Sequence, residues 1–371
     1  MVKVYILGEA RGSYRIQTFI KLLLDDRQKY KVYYDSILYS CRPVRYLKSF
    51  FLNPATILFS DIVYINTMNV DVNILYELIW AKLFRKKVIV DFYVSVYDTV
   101  VLDRQWFRKG SLLAKTAGLI DKYFIKCADA ILFLNKSEKE YYLRVSGIKN
   151  VSEKKCHIIP VGVDRRTPVK NRFVNGESNT LNVCWWGSYQ PLHGLEKIIK
   201  AADIIKKKNL DVRWYFFGND EKKSLTYKNM AEDLGLGDIC TIRNDYTFSN
   251  GKLESFLTEK CDLALSIFGD SEKSKTVLPN KTLDGCAMRC LVLSGKSGGT
   301  SEYFDDSSLF LCDRTAESIA DKIEEIYFAD KDQLKKKIEK AYSIFEKEFS
   351  TEALMKKYQG LIERTAKAGR K

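Results

Sequence analysis

No run of apolar residues in this chain reaches the roughly eighteen that a membrane-spanning helix needs. The nearest approach, residues 55–66, is broken by Ser60 and Asp61 and predicts a buried strand. Histidine is scarce: His157 and His193 are the two in the chain, and neither is a strong candidate for a catalytic base. His157 falls in an expected strand and reads as core. The nine cysteines show no paired CxxC, and the spacing of Cys286 and Cys290 is not that of a metal site, so no metal ligand set is expected. With no secretory signal at the N-terminus, the cysteines predict reduced thiols in a cytosolic protein. Internal repeats are absent, as is any nucleic-acid recognition motif.

Positive charge is what the chain has in excess. Sixty-one lysines and arginines oppose 47 acids, for a net charge of +14 over 371 residues. That balance calls for an anionic partner, either nucleic acid or an anionic membrane surface. The distribution favours the membrane. In the first half Arg42, Arg45 and Lys48 alternate with Tyr46, Phe50 and Phe51. Lys82, Arg85, Lys86 and Lys87 follow beside Trp80 and Phe84, then Arg104, Arg108 and Lys109 beside Trp106 and Phe107. This mixture suits an interfacial surface. The competing reading turns the aromatics inward under solvated basic faces. A hydrophobic content of 46%, with 13% aromatic, suffices for globular folding, and the length fits two domains.

Residues 3–8 read as a buried strand, 8–13 as a polar glycine loop, and 15–24 as an amphipathic helix, the first unit of a doubly wound sheet. Further strands are expected at 30–34, 62–65, 87–90, 130–134 and 157–161, with helices at 72–85, 111–127 and 137–145. Residues 165–179 are polar, contain Pro168 and Gly176, and predict a linker. A second alternating series follows, with strands at 181–186, 212–217, 240–242, 263–268, 291–294 and 309–312. Helices are expected at 195–206, 224–234 and 253–259, and another is opened by Lys281. The remainder reads as helical at 315–328, 331–349 and 350–366. The expected fold is α/β, two doubly wound parallel domains facing a cleft, with C-terminal helices. Ligands in such sheets bind beyond the carboxyl ends of the strands, where the glycines and charges of this chain concentrate.

The segment from Leu278-Pro279-Asn280-Lys281 to Met288 is the most informative. It predicts a loop feeding a helix, with unpaired N–H groups and the positive end of a helix dipole at its start. Lys281 would oppose that dipole. A cation placed there makes sense if a phosphate or diphosphate normally occupies the site. The competing reading is a surface lysine on an ordinary helix.

Several segments together resemble retaining glycosyltransferases of the GT-B fold, in the large family numbered four. They are Trp186-Gly187-Ser188-Tyr189-Gln190-Pro191-Leu192-His193-Gly194, Ser266-Ile267-Phe268-Gly269, Val277-Leu278-Pro279-Asn280-Lys281 and Gly298-Gly299-Thr300-Ser301-Glu302. In the first half Ser95-Val96-Tyr97-Asp98-Thr99, Asp103-Arg104, Asp121-Lys122 and Pro160-Val161-Gly162-Val163-Asp164 are similar to a subgroup carrying Pro-Asn-Lys. The resemblance covers nearly the whole chain and implies a Rossmann-like acceptor-binding domain over 1–166 and a Rossmann-like nucleotide-sugar domain over 180–349. A final helix over 350–371 would pack back on the first domain.

The resemblance implies a donor diphosphate facing the Gly187 loop, with Ser188 and His193 standing near the places of the family's usual arginine and lysine. Lys281 and Lys275 would supply the positive charge, and Asp284 would hold the ribose. Thr276 stands where the family has its sugar-contacting glutamate, so Gly269 and its neighbours would take over those contacts. Phe268, Leu278 and Asn280 join the donor candidates, with Gly218, Asn219 and Arg243 around the base. Asp98, at a strand end, is a candidate for contacting the acceptor or donor sugar, the competing reading being an N-cap or structural aspartate. Glu9, Arg11, Ser13 and Arg104 are acceptor-side candidates. Transfer with retention needs a stabilised leaving diphosphate and an oxocarbenium-like centre. The departing phosphate can take the acceptor proton, so neither a metal nor a cofactor is expected beyond the nucleotide-sugar donor. Expected partners are that donor, a glycan or lipid-linked saccharide acceptor in cell-surface polysaccharide synthesis, and the inner face of the cell membrane; nucleic acid is not expected. A nucleotide-sugar epimerase of the same architecture would require carboxylate and histidine acid/base groups across the cleft, which are not evident. A basic nucleic-acid-binding protein would explain the charge without chemistry.

Overall fold

The computed structural model describes residues 1–7, 14–34, 42–67, 72–164 and 166–367. It divides the chain into two compact units, Met1–Gly162 with Thr351–Lys371, and Val163–Ser350.

In the first unit β1 (Val2–Leu7), α1 (Tyr14–Asp25) and β2 (Tyr30–Tyr34) are followed by α2 (Arg42–Leu47), a π-helical turn (Lys48–Leu52) and α3 (Asn53–Phe59). Then come β3 (Ile62–Asn66), α4 (Val72–Leu83), β4 (Lys87–Asp91), a second π-helical turn (Asp98–Asp103), α5 (Leu112–Cys127), β5 (Ala130–Phe133), α6 (Lys136–Val145) and β6 (Cys156–Ile158). The strands form a parallel six-stranded sheet in the order β2-β1-β3-β4-β5-β6. A parallel sheet is covered on both faces, which is why β3, Ile-Val-Tyr-Ile-Asn, is buried at every position.

The second unit holds β7 (Leu181–Trp186), α7 (Leu195–Lys207), β8 (Val212–Phe217), α8 (Glu221–Asp233), β9 (Cys240–Arg243), α9 (Lys252–Lys260) and β10 (Leu263–Leu265). It continues with α10 (Asn280–Ala287), β11 (Leu291–Gly295), α11 (Gly298–Ser301), β12 (Phe310–Cys312), α12 (Ala316–Phe328) and α13 (Lys331–Glu348). Its sheet is also parallel, in the order β12-β11-β10-β7-β8-β9. Trp185 and Trp214 are fully buried at its centre. Helices α7 and α12 pack on each other, and α10 packs on α13.

The last helix, α14 (Thr351–Lys367), belongs to the first unit. Leu354, Tyr358, Leu361 and Ile362 are buried with Ile16, Phe19 and Leu23 of α1 in one apolar cluster. Beneath them Arg15 lies 3.4 Å from Asp91, which accepts a 2.6 Å hydrogen bond from Tyr64. Burial pushes the Asp91 carboxyl up, and the Arg15 charge opposes that shift.

Two expectations need correcting. Residues 55–66 are not one strand. Pro54 presets the first turn of α3, and the backbone N–H of Ser60 closes it on the Ile57 carbonyl at 3.1 Å, so the strand starts only at Ile62. Nor are residues 166–179 a free linker. Phe173 and Val174 lie in the core of the second unit, and Asp262 accepts from the backbone N–H of Phe173 at 3.1 Å and of Asn182 at 2.9 Å. Among the described residues no helix is long and apolar enough to cross a membrane.

Candidate functional site

The site is built from two laced loops. The chain leaves β7 at Gly187, whose φ of +144° lies where side-chain-bearing residues rarely go. A Cβ on Gly187 would sit 2.9 Å from Lys281 Nζ, so the missing side chain lets the ammonium lie against the backbone. A 3₁₀ turn over Pro191–His193 ends at Gly194, with φ of +63°. There a Cβ would fall 2.6 Å from the Phe268 carbonyl carbon, and one on Gly269 would fall 2.5 Å from the Pro191 oxygen. The backbones therefore touch. The N–H of Phe268 donates to the His193 oxygen at 3.0 Å, and that of Gly269 to the Leu192 oxygen at 3.0 Å.

Lys281 is the second residue of α10, which begins after Pro279 and carries no acid in its first turn. It is 7% exposed. Its Nζ lies 3.0 Å from His193 Nε2 and 5.3 Å from the centre of the Trp185 ring. Among the described residues no carboxylate comes within ion-pair distance of it. Burial brings Lys281 down to about 7, opposed by the more distant Asp284. His193 is brought down to about 2, first by burial and then by the Lys281 charge, so its imidazole is neutral. A neutral ring can accept the Lys281 proton donor at Nε2 only if its own proton is on Nδ1, which is buried and has no hydrogen-bond partner among the described residues.

Asp284, one turn along α10, is 3% exposed. Burial pushes its carboxyl up to about 6, opposed mainly by Arg166 and the Trp186 indole. Arg166 NH2 is 3.4 Å from Asp284, its NH1 is 3.8 Å from Glu254, and the guanidinium lies 4.3 Å from the centre of the Phe248 ring. Sequence reasoning missed Arg166 by treating it as the first turn of a linker. The available signal was a pair of arginines directly after Pro160-Val161-Gly162-Val163-Asp164.

Of the expected donor residues, the structure brings together Gly187, His193, Phe268, Gly269, Lys281 and Asp284, with Ser188 beside them. Leu278 and Asn280, half-buried, lead into α10. Others go elsewhere. Lys275 is exposed and paired with Glu272 at 2.9 Å. Arg243 is exposed, bound to Asp245 at 2.9 Å and set over Tyr246. Gly218 makes room for the Tyr189 ring, which a Cβ would meet at 2.1 Å, and Asn219 beside it is exposed. In the first unit Asp98 is buried and accepts from the Tyr141 hydroxyl, while its backbone N–H bonds Ser95 Oγ at 3.0 Å. Arg104 is exposed over Trp106. Glu9, Arg11 and Ser13 lie outside the described residues. His157 is half-buried in β6. Among the described residues no three His, Cys, Asp or Glu side chains group as a metal site.

Residues 170–343 match the family model described as Glycosyl transferases group 1, so the second unit carries a domain of that type. No curated protein matches the sequence. Similar solved structures span the full chain. A glycosyltransferase from Rickettsia africae is 15% identical with a TM-score of 0.70, covering 99% of this chain and 98% of its own. Anabaena HepE, solved with UDP and glucose, is 14% identical with a TM-score of 0.68, covering 98% and 100%. Sucrose-phosphate synthase from Thermosynechococcus elongatus is 12% identical with a TM-score of 0.69, covering 100% of both chains. At these identities the likeness shows the fold, which is that of the GT-B glycosyltransferases.

Proposed function

We propose that this protein is a metal-independent, retaining glycosyltransferase of the Pro-Asn-Lys subgroup of family four. It moves a sugar from a nucleotide-diphosphate donor to a glycan or lipid-linked saccharide in cell-surface polysaccharide synthesis. The observation that carries the reading is Lys281, a buried ammonium against a glycine loop with a neutral imidazole instead of a carboxylate as its nearest polar neighbour. A buried cation without a counter-charge is costly, and a diphosphate docked at Gly187 would supply the missing charge. The same contact serves the chemistry, because charge accumulates on the diphosphate as the glycosidic bond breaks. His193 keeps the Lys281 ammonium in place by accepting its proton donor. Asp284 lies one helical turn from Lys281, where its carboxylate accepts from the ribose hydroxyls while Arg166 balances its charge. The leaving phosphate takes the acceptor proton. Lys275, an exposed ion pair, acts only if the loop that bears it rearranges, and Asp98 supports Tyr141 in the first unit.

HepE is described with UDP-glucose, which makes a uridine diphosphate sugar the first donor to try. A thermal-shift panel of nucleotide sugars and free nucleotides on the wild type and Lys281→Ala tests the reading. A melting temperature raised by at least one diphosphate in the wild type, and by none in the variant, is the expected outcome. No response to any nucleotide in the wild type would overturn it.

A further inference from the structure

The described residues of the first unit present an exposed apolar face. The α2–α3 segment and α4 pack together, and the contact is polar at its centre: Ser49 Oγ and Asn53 Nδ2 both donate to buried Glu77, at 2.7 and 2.5 Å. That anchoring turns the large side chains outward. Leu47, Phe50, Phe51, Leu52, Leu58 and Phe59 are 47–70% exposed. Helix α4 is apolar on both sides: Ile74, Leu78 and Ala81 are buried, whereas Tyr76, Ile79 and Leu83 are exposed along one stripe. A helix that is apolar all round is not made for water. Phe50 and Tyr76 meet edge to face at 6.0 Å, so the two exposed sets are continuous. A patch of this kind on a soluble unit marks an interaction surface.

Charge selects the partner. Lys48 opens the π-helical turn, and Arg85 and Lys86 follow α4 after Phe84. Among the described residues none of these three forms an ion pair. The described carboxylates between residues 42 and 87 are both engaged: Glu77 as above, and Asp61 by the backbone N–H of Lys3 at 2.8 Å. Two copies of such a surface would repel each other, whereas an anionic lipid interface takes both the rings and the cations. We infer that the α2–α3 and α4 face docks the protein on an anionic membrane surface, with Phe51, Phe59 and Leu83 entering the acyl boundary and Lys48, Arg85 and Lys86 meeting headgroups. The inference deepens the acceptor side of the proposed function and rests on that reading for its biological purpose.

Vesicle co-sedimentation of the full chain, without nucleotide, tests it. The comparison is between vesicles of phosphatidylcholine alone and of phosphatidylcholine with phosphatidylglycerol. The wild type should partition onto the anionic vesicles, and added salt should weaken it. Phe51→Ser with Phe59→Ser, both at exposed positions, should lower partitioning more than about tenfold, and Lys48→Glu with Arg85→Glu by at least about fivefold per charge removed. Equal binding by wild type and the Phe variant, or no wild-type binding to anionic vesicles, overturns the inference. So does a concentration-dependent dimer in solution that the Phe variant abolishes, since the face would then seat a second copy. A nucleotide thermal shift that survives in the Phe variant separates failure of this surface from failure of the transferase reading.

Discussion

Burial of the Lys281 ammonium without a counter-charge should lower the stability of the fold that contains it. Its ammonium has left water for the ring of Trp185 and the neutral nitrogen of His193, and neither repays the lost hydration as a carboxylate would. Replacement by methionine, which keeps the aliphatic length, should therefore raise the melting temperature of the ligand-free protein by a few degrees, on the order of 1 kcal/mol, while removing the response to nucleotide. Calorimetry with and without a nucleotide diphosphate reads both effects, and a destabilised variant would show that the lysine serves structure instead.

The same burial gives binding a pH dependence. In the free protein Lys281 titrates near 7, so it is charged below that pH and neutral above it. A bound diphosphate favours the charged form and raises the lysine's pKa. Binding above pH 7 must then take up a proton. Affinity should be full just below neutrality and fall by up to about tenfold per pH unit as pH rises, until the pKa of the complex is passed. Isothermal titration in buffers of different ionisation enthalpy counts that proton, and a heat independent of buffer at pH 8 to 9 would refute the assignment. The place of Lys281 in the first turn of a helix, opposing the dipole, was legible in sequence. Lys275 carried no such signal, and it turns out to be an ordinary surface pair with Glu272.

Among elements, the α/β alternation was readable because buried parallel strands are continuous apolar runs bounded by glycine or charge. Where that rule was ambiguous, the reading went astray. Residues 55–59 are as apolar as a strand, but Pro54 and the polar anchors Ser49 and Asn53 commit them to a helix displayed at the surface. Residues 166–179 look like linker by composition, but the Asn171 side chain donates to the Asp262 carbonyl at 3.2 Å and the Phe173 backbone N–H to its carboxylate at 3.1 Å, which composition cannot reveal. Helix α14 shows how a distant element completes a core. Tyr358 is fully buried, lies tilted against Phe19 with ring centres 5.1 Å apart, and donates to the Arg15 carbonyl at 3.3 Å. Tyr358→Ala should destabilise the first unit by about 3–5 kcal/mol, since it opens a cavity and leaves the Arg15–Asp91 pair beneath it less well covered. Chemical denaturation that resolves two transitions would show the loss in one of them alone; a uniform shift of both would contradict the placement of α14.

For the whole molecule, connectivity makes the two units unequal. Val163–Ser350 is one continuous stretch, whereas the other unit draws Met1–Gly162 and Thr351–Lys371 from opposite ends of the chain. The main core of the continuous unit runs from Phe173 to Ile338, and its described members all lie within Val163–Ser350. The core around α1 includes Leu354, Tyr358, Leu361 and Ile362. Burying four such side chains is worth roughly 1.5–3 kcal/mol each, comparable to the whole stability of a typical domain. A segment of residues 163–350 should therefore fold alone, melt cooperatively and show a nucleotide-induced shift of the same sign as the full chain. Residues 1–162 alone should lack a cooperative transition and regain one when a peptide of residues 351–371 is added. Circular dichroism melting of the two segments decides this, and a stable, cooperative 1–162 segment would mean that α14 only decorates a core already complete without it.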